Sequence, residues 1–176
     1  MHHQPDGAAF DVVLLLHVAC VVVGLVTSLT ATATTARLRR HLRTAAPPPD
    51  ALRRYFRPGA NWAGRTMYGI PVFGFALLAM SQGAYTLRQG WVLGGVALFA
   101  AMALVAEGML WPAERRLQDA LAAPTGVAGP PARAEAPGSG GGGAEAQEAD
   151  ATAMARAAQV VLLLMVAGVI LMIAQP

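Results

Sequence analysis

VVLLLHVACVVVGLVTSLTATATTA, residues 12–36, runs for 25 positions without an acidic or guanidinium side chain. A helix of that length is about 37 Å long, enough to cross a hydrocarbon layer of about 30 Å. Three more stretches have the same character, so the apolar spans fall at 10–36, 66–87, 91–111 and 154–174. The reading is all-α: a single membrane domain over residues 1–176, built as a four-transmembrane-helix bundle. Composition agrees, with 55% hydrophobic and only 13% charged residues, the charges sitting almost wholly between the spans.

Orientation follows from arginine placement, because basic residues are retained on the cytoplasmic side. Arg37, Arg39, Arg40, Arg43, Arg53, Arg54, Arg57 and Arg65 lie between the first two spans, and Arg115, Arg116, Arg133 and Arg156 between the last two. The opposite side has only Arg88. Both termini are therefore expected to be non-cytoplasmic, in a multi-pass protein of a bacterial plasma membrane. Ala31-Thr32-Ala33 has the small residues of a signal-peptide cleavage site, but the leader before the apolar run is acidic, which favours a retained helix.

Between the first two spans, Pro47-Pro48-Pro49-Asp50 breaks the chain and offers Asp50 as a helix cap. Leu52, Tyr55 and Phe56 then share a face, with Arg53, Arg54 and Arg57 elsewhere. That pattern predicts a short helix lying on the anionic headgroups of the inner leaflet, with Arg37, Arg39, Arg40 and Arg43 as further membrane-surface basic residues. The same explanation removes the need for nucleic acid as a partner. After the third span, residues 124–150 are rich in Gly, Pro and Ala, and predict a flexible cytoplasmic linker. No domain is expected to fold outside the bilayer.

Within the spans, small residues predict close helix approach at Gly90/Gly94, Ala97/Ala101 and Ala79/Gly83. Threonines of the first span can bond back to their own helix. Pro71 predicts a kink. These packing faces leave room for a homo-oligomer or another membrane protein as partner.

Polar side chains inside spans are rare and carry the functional candidates. His17 shares a face with Cys20, Gly24 and Ser28, and its imidazole is suited to haem or copper, with Cys20 as a soft donor. His3, with the terminal amine and two backbone nitrogens, forms a second candidate, for square-planar copper or nickel. Glu107 lies near the inner end of the third span, close to Tyr68 in a short hairpin and within reach of Arg65. A structural Glu–Tyr or Glu–Arg contact is expected there, with a proton-handling carboxylate as the alternative. Soluble-enzyme and nucleotide-binding motifs are absent from the sequence.

Leu16-His17-Val18, Pro112-Ala113-Glu114-Arg115-Arg116-Leu117 and Leu171-Met172 with Pro176 resemble an uncharacterised bacterial family of small four-helix predicted integral membrane proteins, a domain of unknown function. The resemblance implies the fold and assigns no reaction. The Leu-His pair is also similar to that of four-helix membrane proteins linked to haem synthesis or copper handling, which would place haem or metal at His17. Members of the haem-linked group depend on a core Lys, and this chain has none. Three readings follow: a non-enzymatic membrane component of assembly or scaffold type, a haem- or copper-linked protein using His17, and a small proton-coupled transporter using Glu107.

The orientation is checked by thiol labelling of whole cells in a Cys20→Ala background. Thr86→Cys is expected to react with an impermeant maleimide and Thr44→Cys to be protected; the reverse pattern overturns the assignment.

Overall fold

The computed structural model describes residues 7–44, 48–59, 61–122 and 141–174, all helical or in turns. Helix α1 is Ala8–Arg43, α2 Asp50–Tyr55 and α3 Trp62–Arg65. A 3-10 turn, Thr66–Tyr68, leads into α4, Gly69–Met80. Helix α5, Gly90–Val105, passes through a π-helical turn, Ala106–Leu110, into α6, Trp111–Ala122, and α7 is Gly141–Ile173. Four helical stretches are long and apolar enough to cross a membrane: Ala8–Arg43, Trp62–Met80, Gly90–Ala122 and Glu145–Ile173.

Helix α1 extends well past its apolar run because nothing breaks it before Thr44. Asp11 sits in its first turn and Arg40, His41 and Arg43 in its last, where each charge opposes the helix dipole. Its threonines do bond backwards: Thr27 donates to the Val23 carbonyl at 2.9 Å, Thr30 to Val26 at 2.7 Å and Thr35 to Ala31 at 2.6 Å. Hydroxyls satisfied in this way need no partner on another helix.

Packing begins with α1 against α7. On α1 the buried residues are His17, Gly24, Ser28, Ala31, Thr35 and Leu38; on α7 they include Ala151, Met154, Ala158, Val161 and Met165. The α7 spacing alternates between three and four residues, the seam of helices packed side by side. Contact is closest at Gly24, where an added Cβ would stand 2.5 Å from Met165 Cε. Helix α4 packs on the flank of α1 and α5 on the flank of α7, while α4 and α5 have no extended contact with each other. The order α4–α1–α7–α5 is therefore an open arc.

Several expectations need correction. Residues 124–150 were expected to form a linker, yet Gly141–Asp150 are the first turns of α7; the remainder, 124–140, lies outside the described residues. Ala144-Glu145-Ala146-Gln147-Glu148-Ala149 consists of strong helix formers, and the following Ala151, Met154 and Ala155 are buried. Two ion pairs add to this, Arg43 Nε–Glu148 Oε1 at 2.9 Å and Arg116 Nε–Asp150 Oδ1 at 2.7 Å, though such exposed pairs each contribute about 0.2–1 kcal/mol. The second span is shifted from 66–87 to Trp62–Met80, because the chain turns at Gln82 (φ 50°) and Gly83 (φ 89°). Pro71 is the third residue of α4, and the 3-10 turn Thr66–Tyr68 interrupts the α-helical bonding of the second span shortly before it. Of the small-residue pairs, Gly94 meets Leu171, whereas Gly90, Ala79 and Gly83 face outward.

Contrary to expectation, a tight core stands beyond the apolar layer, at the arginine-rich end. Leu38, Leu52, Phe56, Ala113, Leu117 and Ala151 are all buried there. The apolar face of α2, expected on lipid headgroups, is turned into this core, with Arg53, Arg54 and Arg57 still exposed. Helix α2 packs on the end of α1, and Phe56 directly after it joins Leu38, Leu117 and Ala151 in one cluster. Elsewhere the outer surface is apolar, with Val12, Leu15, Leu29, Val72, Leu104, Leu163 and Ile173 all well exposed.

Leu117→Ala, at a fully buried position of this core, is expected to lower stability by about 2–5 kcal/mol. Leu15→Ala, on the exposed face, should change it by less than about 0.5 kcal/mol. Thermal unfolding in detergent measures both.

Candidate functional site

The open side of the arc, between α4 and α5, contains a cleft of about 420 Å³. Phe10, Leu14 and Val18 of α1 form its back, Ile70, Gly74 and Phe75 one wall, and Val92, Gly95 and Phe99 the other. Aromatic contacts bridge the two walls at either end. Tyr85 meets Trp91 edge-on at 5.6 Å, and Tyr68 meets Phe99 at 6.2 Å and Trp111 at 5.8 Å. The middle is left open to the side.

His17 supplies the imidazole of this cleft. It is buried at 6% exposure, and its Nδ1 is 2.9 Å from the Ile70 carbonyl oxygen. A carbonyl only accepts, so in the neutral ring Nδ1 donates the hydrogen and Nε2 keeps its lone pair. Gly74 makes room for the ring: an added Cβ would be 3.3 Å from His17 Cε1. His17 lines the cleft, and among the described residues the fully enclosed, unpartnered side-chain nitrogen or oxygen is Arg39 Nε, not His17 Nε2. The imidazole thus lines a mainly apolar space with its second nitrogen left as an acceptor, and Tyr85 and Trp91 are the other polar-tipped side chains of that lining.

Cys20 lies one turn further along α1, where its Sγ would be 2.5 Å from a Cβ on Gly69. It packs against the start of α4. Among the described residues there is no group of three or more His, Cys, Asp or Glu placed to hold a metal ion. His3 lies outside the described residues. For haem, the cleft has one imidazole and the thioether of Met172 but no basic side chain among its lining residues to pair a propionate.

A second cavity, about 410 Å³, lies further along the same seam toward the arginine-rich end. Trp62, Arg65, Thr66, Tyr68, Glu107 and Trp111 line it. Here the expected contact is present: Tyr68 Oη donates to Glu107 Oε1 at 2.8 Å. The π-helical turn Ala106–Leu110 carries Glu107 on its exposed side. Arg65 comes into the same cavity without pairing to Glu107. Its Cζ stands 5.7 Å from the Trp62 ring centroid and 5.4 Å from that of Trp111.

One polar cluster escaped the sequence reading. Glu114 is buried at 6% exposure and accepts from Asn61 Nδ2 at 3.3 Å. Nearby Tyr55 has its phenol pushed up to about 12, first by burial and then by the negative charge of Glu114. The available signal was four-residue spacing: Glu114 falls between the buried Leu110 and Gln118 on one face. Of the basic residues, Arg37, Arg40, Arg53, Arg54 and Arg57 are exposed, Arg43 is paired with Glu148, and Arg39 is half-buried.

No protein-family model, curated protein or solved structure matches this chain. Its function must be argued from these two cavities.

Tyr68→Phe removes the donor to Glu107 and is expected to lower thermal stability by about 1 kcal/mol. Glu107→Gln keeps an acceptor for Tyr68 and should change stability by less than half as much.

Proposed function

We propose that this chain is a non-enzymatic, multi-pass membrane component of assembly or scaffold type that holds an apolar, lipid-soluble molecule in the α4/α5 cleft. Its orientation, on the arginine asymmetry, puts both ends away from the cytoplasm. The observation that carries the reading is the cleft itself: about 420 Å³ of apolar space with the His17 imidazole at its back. That volume lies within the range of small-molecule sites, which pair an apolar lining with a few placed polar groups.

The polar group defines the ligand's polar end. With Nδ1 committed to Ile70, Nε2 accepts, so the matching ligand donates one hydrogen bond, as a hydroxyl does. A long-chain or prenyl-type alcohol has this chemistry, and an alkane lacks it. Away from bulk water, an unmatched acceptor is costly, so a bond to this nitrogen favours an alcohol over an alkane. Transport through Glu107 has less support, since Tyr68 already occupies one of its oxygens and the described spans contain no row of acids and bases.

The test uses purified protein in nanodiscs and the quenching of Trp91, which lines the cleft, by brominated dodecanol and brominated dodecane. Saturable quenching is expected from both, with the alcohol favoured. His17→Phe should weaken the alcohol alone, by about fivefold, the equivalent of one hydrogen bond. Gly95→Leu places a side chain into open space and should abolish saturation. Quenching that is non-saturable and unchanged by Gly95→Leu would overturn the reading. A Soret band in the purified protein, lost in His17→Phe, would replace it with haem ligation at the same nitrogen.

A further inference from the structure

The geometry points to a second binding site, for a zwitterionic phospholipid headgroup bearing a primary ammonium, in the cavity lined by Trp62, Arg65, Tyr68, Glu107 and Trp111. It stands independently of what fills the α4/α5 cleft.

A guanidinium and a carboxylate share this cavity of about 410 Å³ and do not pair with each other. Neither Arg65 nor Glu107 takes part in an ion pair among the described residues. Opposite charges left apart in one cavity match a ligand that carries both signs a short distance apart. A phosphoethanolamine group does so, with its phosphate to Arg65 and its ammonium to Glu107.

Each side chain is held ready for that role. Arg65 lies over the faces of Trp62 and Trp111, which constrain the guanidinium while leaving its N–H edges free to donate. A planar guanidinium edge is suited to two parallel bonds to phosphate oxygens. Tyr68 takes Glu107 Oε1 and leaves Oε2 for an ammonium. A primary ammonium donates hydrogen bonds to a carboxylate, and a quaternary one cannot. A phosphatidylglycerol headgroup would satisfy Arg65 but bring no cation to Glu107.

Depth also favours a lipid over a solute. Trp62 and Trp111 stand where the apolar part of the third span gives way to Pro112–Ala122, which carries Glu114, Arg115, Arg116 and Asp119. Tryptophans at such a boundary settle at headgroup level. Trp62 is 73% exposed despite its size, as a ring facing an interface would be.

Native mass spectrometry of the full chain, titrated with phosphatidylethanolamine, phosphatidylglycerol and phosphatidylcholine, tests the assignment. Wild type is expected to favour the ethanolamine lipid by about tenfold over the other two, the worth of one charge-assisted hydrogen bond. Glu107→Gln keeps the Tyr68 contact and should erase that preference, whereas Arg65→Gln should weaken all three lipids. Circular dichroism confirms that each variant is folded, and Trp62→Leu, at an exposed position, supplies a further variant that should weaken binding without disturbing the bundle. Equal binding of all three lipids to wild type, or an undiminished preference in Glu107→Gln, would overturn the proposal. So would effective competition by soluble glycerophosphoethanolamine at the lipid's own concentration, which would assign the cavity to a free solute.

Discussion

The close approach of α1 to α7 organises everything else in this molecule. Small residues on α1, with Gly24 at the tightest point, let Met165 of α7 press almost to the backbone. In an apolar surrounding, association cannot draw on burial of greasy side chains, since lipid is equally greasy; close packing supplies the attraction instead. Once these two long helices are mated, α4 and α5 can only attach on their outer flanks, one on each. Four helices in an arc, rather than a closed square, are the result.

That arc creates the functional geography. A closed bundle would have brought α4 onto α5 and filled the space between them with side chains. Here the two stand apart, with aromatic bridges at either end, Tyr85–Trp91 at one and Tyr68 with Phe99 and Trp111 at the other. Between the bridges lies an apolar space with an imidazole at its back, and past the second bridge a charged and aromatic one. Tyr68 lines the second of these, with its ring against Phe99, which lines the first, and its hydroxyl bonded to Glu107. The 3-10 turn that carries Tyr68 ends three positions before Pro71, whose ring nitrogen cannot donate to the preceding turn.

Legibility in the sequence varied with the kind of physics involved. The Tyr68–Glu107 contact could be anticipated because the short hairpin brings the two ends of the spans into register, and a carboxylate in an apolar setting needs a donor. The burial of His17 on a small-residue face followed from helical spacing. The start of α7 at Gly141 was hidden because a run of glycines outweighed the helix-forming residues after it, and the burial that anchors the helix begins only at Ala151. The fate of α2 was ambiguous in principle. An amphipathic helix beside a membrane can turn its apolar face to lipid or to protein, and its sequence is the same in both cases. Glu114 was overlooked because a carboxylate followed directly by two arginines reads as surface, while the buried side of α6 reaches it.

Residue order alone determined that four long apolar helices form and that arginines gather at one end, because length, hydropathy and charge are summed along the chain and need no neighbour. It also singled out the few polar groups worth following. Only the tertiary structure decided which flanks remain unpaired, that Nδ1 of His17 is spent on Ile70, and that Arg65 and Glu107 share a cavity without meeting. Those outcomes depend on how helices rotate and approach one another, and that depends on side-chain shape at contacts made between residues far apart in the chain.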